Sequence, residues 1–353
     1  MEANPSGRFF IVGVPGAELT AEDERFLGEV NPSGVCLFAR NVKDPAQVRE
    51  LTDAIRSILG ADALICVDQE GGRVDRLRRI LEPMPPADSL RNAKDAAILG
   101  DLSGRALRML GINVNFAPVV DVPRNQSDNG LQTRTLGVDP DEITSNASSF
   151  LAALSATGVM GCLKHFPGLG ASSVDSHELL PTVDVDDEEL ENHDLVPYRR
   201  LIGKHPVMVM IAHATFPNTL FNAKNAELPS SLNPAVYESL RRTIGFEGLA
   251  VTDDLEMGAI INSHGIPEAS LAAIEAGADI ALICNDQNAA RSAAELCASR
   301  LIGSDTLKDR LETFSGRLVA SGKAHNEPFD FDSDEWEHLG REISALKDRL
   351  SQT

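Results

Sequence analysis

Eight short apolar runs, separated by stretches of helical period, constrain this chain more than any other feature. They fall at residues 9–14, 35–39, 64–68, 113–121, 162–166, 207–213, 249–254 and 280–284. Runs of this length, rich in β-branched side chains, suit strands buried on both faces. Amphipathic stretches at 45–59, 97–110, 145–157, 234–243 and 267–276 lie between them. Strand-helix alternation predicts parallel βαβ units, and eight such units predict an α/β fold of the (β/α)₈ barrel type. A doubly wound open sheet is the alternative, because alternation alone does not distinguish the two. The hydrophobic fraction is 42% but the aromatic fraction only 5%, so the core is aliphatic, as a parallel barrel requires. Residues 1–325 read as one barrel domain, with closing helices at 287–300 and 304–322. The tail, 326–353, opens on an acidic, Pro-containing turn and ends as a helix rich in Leu, Arg and Lys.

Several function classes are excluded at this level. A net charge of −21 argues against nucleic acid, whose binding needs basic side chains to displace counterions. No apolar run reaches the roughly 18 residues of a membrane span, and the start lacks the pattern of a secretory signal. Cys36, Cys66, Cys162, Cys284 and Cys297 form no CxxC pair, and most sit in apolar runs. An odd number of such thiols reads as core residues in a reducing compartment, hence a soluble, cytoplasmic protein. No two cysteines or histidines have zinc-ligand spacing, so no metal is expected.

The polar residues fall in a telling place. Asp68, Asp121, Lys164, His165, His213, Asp253 and Asp254 all lie at or just after the C-terminal ends of predicted strands. In a barrel those ends share one rim, where active sites are built. The most specific stretch is KHFPGLGASSVDSHELLP, from Lys164 to Pro181. Gly168 and Gly170 give this loop backbone freedom. Asp175 and His177 are two apart, so an extended segment puts both on one side, where a carboxylate orients an imidazole for acid catalysis. A surface hydrogen-bonded pair is the plain alternative. In LAVTDDLEM, from Leu249 to Met257, one of two adjacent aspartates can enter the barrel mouth while Asp254 caps the next helix. In ICVDQEGGRVDR, from Ile65 to Arg76, Asp68 is suited to accept from sugar hydroxyls and Arg73 or Arg76 to donate to them. An internal salt bridge is the alternative there. His213 either lines the pocket or is a satisfied core histidine.

Together with GINVNFAPVVD (Gly111 to Asp121) and RTLGVDP (Arg134 to Pro140), these stretches resemble glycoside hydrolase family 3, specifically its bacterial β-N-acetylhexosaminidase branch. The resemblance covers about residues 9–284. It implies Asp253 as nucleophile, His177 as acid/base and Asp175 as the partner of that histidine. It further implies that Asp68, Arg76, Arg134, Lys164 and His165 hold the sugar hydroxyls and amide. The chain departs from the family pattern at Leu169 and Ala171, where His and Asp are usual, and at Thr133, where an acidic residue or Asn is usual.

The implied reaction is retaining hydrolysis of terminal β-linked N-acetylglucosamine through a glycosyl-enzyme, with no cofactor. The resemblance points to a cell-wall-derived GlcNAc–anhydromuramyl peptide as substrate. A β-glucosidase, a β-xylosidase, a phosphorylase and a non-catalytic sugar-binding barrel are the competing readings. The Gly-rich loop at 168–181 has few apolar anchors and is expected to order on sugar binding, unless Leu169 and Ala171 pack it against the barrel.

Overall fold

The computed structural model describes residues 5–124, 130–172, 174–176, 179–222, 228–322 and 331–352. Its frame is set by eight strands: β1 (Phe10–Gly13), β2 (Gly34–Leu37), β3 (Leu64–Val67), β4 (Val114–Asn115), β5 (Gly161–Phe166), β6 (Val207–Ile211), β7 (Ala250–Asp254) and β8 (Ile280–Ile283). The ladder runs β4-β3-β2-β1-β8-β7-β6-β5, and every pairing in it is parallel. Parallel bridges from Val114 to Met160 and from Val119 to Lys164 join β4 to β5, so the sheet closes into a (β/α)₈ barrel. The open doubly wound alternative is thereby excluded.

The predicted run at 113–121 is only partly a strand. Its regular ladder stops after Asn115, because Pro118 has no N–H to donate. Beyond it the chain stays extended, and Val120 N donates to Lys164 O at 2.9 Å. The helices follow local signals. Asp44 accepts from Gln47 N and Pro45 stands in the first turn, starting the helix Pro45–Leu59 where the pattern placed it. Asn92 and Asp139 cap the helices Ala93–Met109 and Pro140–Ala156, which therefore begin a turn earlier than apolar periodicity suggests.

Side chains alternate along each strand between two cores. Ile11, Cys36, Cys66, Cys162 and Val251 fill the barrel interior, while Val12, Val35, Ile65 and Leu163 pack outward on the helices. All five cysteines are free and buried. At the N-terminal end of the barrel the helix Asp305–Gly322 inserts Phe314 and Leu318 into the interior core. The helix Ser333–Ser351 docks elsewhere, burying Trp336, Leu339, Ile343 and Leu346 along the helix Ala93–Met109. Trp336 Nε1 donates to Ile80 O at 3.1 Å and Arg349 pairs with Asp95 at 2.5 Å, bracing the segment that follows β3. No helix among the described residues is long and apolar enough to cross a membrane.

Close strand packing leaves Gly13 no room for a side chain. A Cβ on Gly13 would lie 1.7 Å from Cys284 O, across the β1–β8 contact. Gly28, on the exposed side of the helix Ala21–Val30, has nothing within 4 Å of its missing Cβ. Gly13→Ala is expected to lose about 3 kcal/mol by overpacking, and Gly28→Ala to be neutral or to gain up to about 1 kcal/mol from helix propensity. Urea unfolding of both variants checks this, and equal effects would contradict the register of β1 against β8.

Candidate active site

Two register irregularities aim the catalytic candidates. The pairing of β5 with β6 shifts between Leu163 and Phe166, and both of those residues pack outward. The two residues between them, Lys164 and His165, are thus both turned towards the barrel mouth, as a bulge permits. In β7 the register against β8 shifts between the Val251 and Asp254 pairings, which places the extra residue next to Asp253. Thr252 Oγ1 takes up the Leu282 N–H at 3.0 Å there.

Lys164 is almost wholly buried. Its Nζ lies 2.7 Å from Asp68 Oδ1 and 2.6 Å from Glu70 Oε1. Glu70, itself buried, receives a forked pair from Arg134, with Nε at 2.8 Å and Nη2 at 2.9 Å. Burial alone would raise the Glu70 pKa, but the Lys164 and Arg134 charges outweigh it and hold the carboxyl well below its usual range. Burial would likewise lower the Lys164 pKa, and Asp68 and Glu70 reverse the sign, so the ammonium is retained. Arg76 stands 3.7 Å from the other Asp68 oxygen, with a buried Nε that has no partner among the described residues. Arg73, the other candidate donor, is exposed and among the described residues directs Nη1 to Gln132 Oε1 at 3.4 Å.

A second cluster surrounds Asp253. Asp121 Oδ2 binds His165 Nδ1 at 2.7 Å, while its Oδ1 accepts from the backbone N–H groups of His165 and Leu169. This leaves His165 Nε2 for the mouth. Burial pushes the Asp253 pKa up, but His165, His213, the Asp254 N–H (2.9 Å) and Lys164 outweigh it, and the net shift is downward. Asp253 is therefore an ionised carboxylate. Asp254 is its opposite, raised to about 7 by burial and by Glu256. Its Oδ1 accepts from Glu256 N at 3.1 Å, so it shapes the turn before the helix Gly258–Ile261, one turn earlier than a cap. His213 is fully buried, with Nδ1 on Ser231 Oγ (2.7 Å) and Nε2 on Asp254 O (2.9 Å), which favours the core reading of that residue.

The loop after β5 is pinned at its base. Leu169 is buried in the main core and Ala171 packs against it, so these two replacements anchor the loop on the barrel. A Cβ on Gly170 would fall 1.7 Å from Val122 O, a close approach that only glycine allows. Farther along, Asp175 lies against Gly130, whose carbonyl accepts from Arg134 Nη1 at 3.0 Å. Ser176 O accepts from Ala259 N at 3.3 Å, tying the loop to the turn just beyond Asp253. His177 lies outside the described residues, as do residues 173 and 178. Asp68, Arg76, Arg134, Lys164, His165 and Asp253 are thus brought to one rim, and Asp175 reaches it over Gly130.

Sequence reasoning left three contributors without a role. Glu70 is the shared partner of Lys164 and Arg134. Asp121 orients His165. Glu256 accepts from the N–H groups of Cys284 (2.6 Å), Asn285 (2.5 Å) and Asp286 (2.8 Å), clamping the turn after β8 to the turn that carries Asp253. The available signal was their place at strand ends, though no spacing rule names partners 94 or 44 residues apart.

A barrel whose C-terminal rim gathers an ionised aspartate, an oriented histidine and a ring of charged side chains has the form of an enzyme. Residues 11–312 match the glycosyl hydrolase family 3 N-terminal domain. The chain is 33% identical over 326 residues to a β-hexosaminidase of Pseudomonas aeruginosa, covering 90% of this chain and 94% of that one. Among solved structures, a family 3 β-N-acetylglucosaminidase from Paenibacillus sp. superposes with a TM-score of 0.86 at 29% identity. That alignment covers 98% of this chain and 68% of the other. A family 3 glycosyl hydrolase of Mycobacterium smegmatis is 32% identical with a TM-score of 0.80, covering 91% and 97% respectively. The chain belongs to glycosyl hydrolase family 3 and is a glycoside hydrolase.

Two substitutions test the electrostatics. Glu70→Ala strips Arg134 of its carboxylate and halves the compensation of Lys164, so it is expected to cost about 3–5 kcal/mol in urea unfolding. A loss under about 1 kcal/mol would contradict the shared-carboxylate arrangement. For Asp254, the folded carboxyl stays protonated up to about pH 7, while an unfolded aspartate ionises near about 3.9. Between those values the folded state binds more protons, so this group makes stability fall as pH rises. Asp254→Asn is expected to lose less stability than the parent between pH 4 and 7. An unchanged slope would refute the assignment.

Proposed function

We propose that this chain is a retaining, exo-acting β-N-acetylglucosaminidase, with Asp253 as nucleophile and His177, partnered by Asp175, as acid/base. The observation that carries this reading is Asp253 itself. It is a partly buried carboxylate kept ionised at the end of β7, set among His165, Lys164 and the Asp254 N–H. The relatives named β-hexosaminidase and β-N-acetylglucosaminidase support the choice of sugar.

In the first step Asp253 attacks the anomeric carbon, and protonated His177 gives its proton to the departing glycosidic oxygen. Neutral His177 then takes a proton from water as that water opens the glycosyl-enzyme. Asp175 stabilises the imidazolium that is present before the first step and restored by the second. In this reading Asp68, Arg76, Arg134, Lys164 and His165 hold the sugar hydroxyls and amide; the Lys164–Asp68 and Arg76–Asp68 contacts and the Asp121–His165 hydrogen bond support it by grouping and orienting these side chains. The Ser176–Ala259 hydrogen bond, which ties this loop to the turn beyond Asp253, supports a role for the loop at the mouth. The substrate proposed is a GlcNAc–anhydromuramyl peptide from cell-wall turnover. Five buried free thiols agree with a reducing, cytoplasmic setting.

The acid role of His177 is tested by leaving-group dependence. A nitrophenolate departs with little protonation, whereas a sugar alkoxide needs a proton in the transition state. His177→Ala is expected to lose far more kcat/KM on a GlcNAc disaccharide than on nitrophenyl-GlcNAc, and equal losses would remove His177 from that role. Asp253→Ala is expected to abolish turnover of both substrates, while Asp254→Ala stays active. The reverse pattern would exchange the two carboxylates.

A further inference from the structure

The opposite, N-terminal end of the barrel carries a cavity of about 360 Å³ that the glycosidase reading does not use. It opens between the helical turns at 234–243, the approach to β8 and the helix Asp305–Gly322. Small-molecule sites span about 300–1,000 Å³, so its size suits a small metabolite or ion. Its charge is unusual for this chain. Arg241, Arg242, Arg310 and Arg317 line it against Glu238 and Asp279, although the whole chain has a net charge of −21.

The acids there are already engaged. Asp279 is buried, and its Oδ1 is 2.5 Å from Arg317. Its Oδ2 is 2.5 Å from Arg241 and 2.7 Å from Ala250 N. Glu238 pairs with the exposed Arg242 at 2.9 Å. Arg241 also directs Nη1 to Phe246 O and Gly248 O, so it is committed to the scaffold. Arg310 is different. Its one protein hydrogen bond among the described residues goes to Glu275 O at 3.1 Å, and no carboxylate pairs with it there. Arg310 and Arg317 are seven apart on one helix and share the face that lines the cavity. Burial lowers the pKa of both Arg241 and Arg310; Asp279 raises each and Arg317 lowers each, and the net shift of both is downward.

We propose that this cavity is a binding site for a phosphate dianion, free or as a sugar phosphate monoester, held chiefly by Arg310 and Arg317. Guanidinium forks match tetrahedral oxyanions, and the partial enclosure strengthens the pairing relative to an open surface. The site is separate from the catalytic rim and independent of the reaction assigned there.

The test is isothermal titration of the full chain, at low ionic strength, with inorganic phosphate in one arm and glucose 6-phosphate in the other. Saturable binding of at least one is expected, unaffected by excess N-acetylglucosamine. Tighter binding of the sugar phosphate identifies the monoester as the ligand, and equal or tighter binding of inorganic phosphate identifies the free ion. Arg310→Gln is expected to weaken binding about tenfold, the equivalent of one charge-assisted hydrogen bond. Arg310→Lys retains part of the affinity, and Lys308→Gln, whose side chain pairs with Asp305 instead, leaves it unchanged. Should Arg310→Gln fail to fold, the exposed Arg242→Gln takes its place, with a smaller loss expected. Absence of saturable binding in both arms overturns the proposal. So does binding that survives the arginine variants, or binding displaced by N-acetylglucosamine.

Discussion

The structure of the candidate site depends on one buried ammonium. Lys164 sits in the barrel mouth with almost no exposure, and only the carboxylates of Asp68 and Glu70 make that position tolerable. Because Asp68 and Glu70 follow β3 and Lys164 lies on β5, the pairing ties together segments 94 or more residues apart in sequence. Glu70 extends the tie to Arg134, whose remaining contact with Gly130 O supports the surface on which Asp175 rests. Removing any member leaves a charge without its counterpart in a low-dielectric place, so the cluster holds together as a unit.

The same economy of position governs Asp253. As the proposed nucleophile it must be ionised yet shielded, two demands that oppose each other because burial favours the neutral acid. Here a shift in strand register turns Asp253 into a field of histidine, lysine and backbone N–H dipoles, and the net result is a lowered pKa. Its neighbour Asp254 lacks that field and faces Glu256, so it is raised to about 7. Two identical side chains, adjacent in sequence, thus have pKa values shifted in opposite directions. Glu256 fixes the turn on which this difference depends by accepting three backbone N–H groups from the turn after β8.

Much of this architecture was legible in the sequence, for physical reasons. Strands buried on both faces must be continuous apolar runs, and eight of them alternating with helices leave few closed arrangements. Most rim residues were legible too, because a polar side chain ending such a run has only the barrel mouth to occupy. The pairing partners were not. Glu70 reads in sequence as one more charge in a glycine-rich loop, and Asp121 as a strand end without a task. Strand β4 was overextended because periodicity does not register the missing N–H of Pro118. The loop at 168–181 looked poor in anchors, yet Leu169 is buried in the main core and Ala171 packs against that core.

The central claim is that Asp253 carries the glycosyl group in a covalent intermediate. In a fluorinated N-acetylglucosaminyl fluoride that keeps the 2-acetamido group, the ring fluorine slows both displacements while the activated fluoride leaving group speeds the first, so the glycosyl-enzyme accumulates. Incubation with it, followed by peptide mass spectrometry, reads the attachment point directly. The account predicts one glycosyl adduct per chain, on the peptide carrying Asp253 and localised to that residue by fragmentation. An adduct on Asp254, or none while the enzyme still turns over nitrophenyl-GlcNAc, would contradict it.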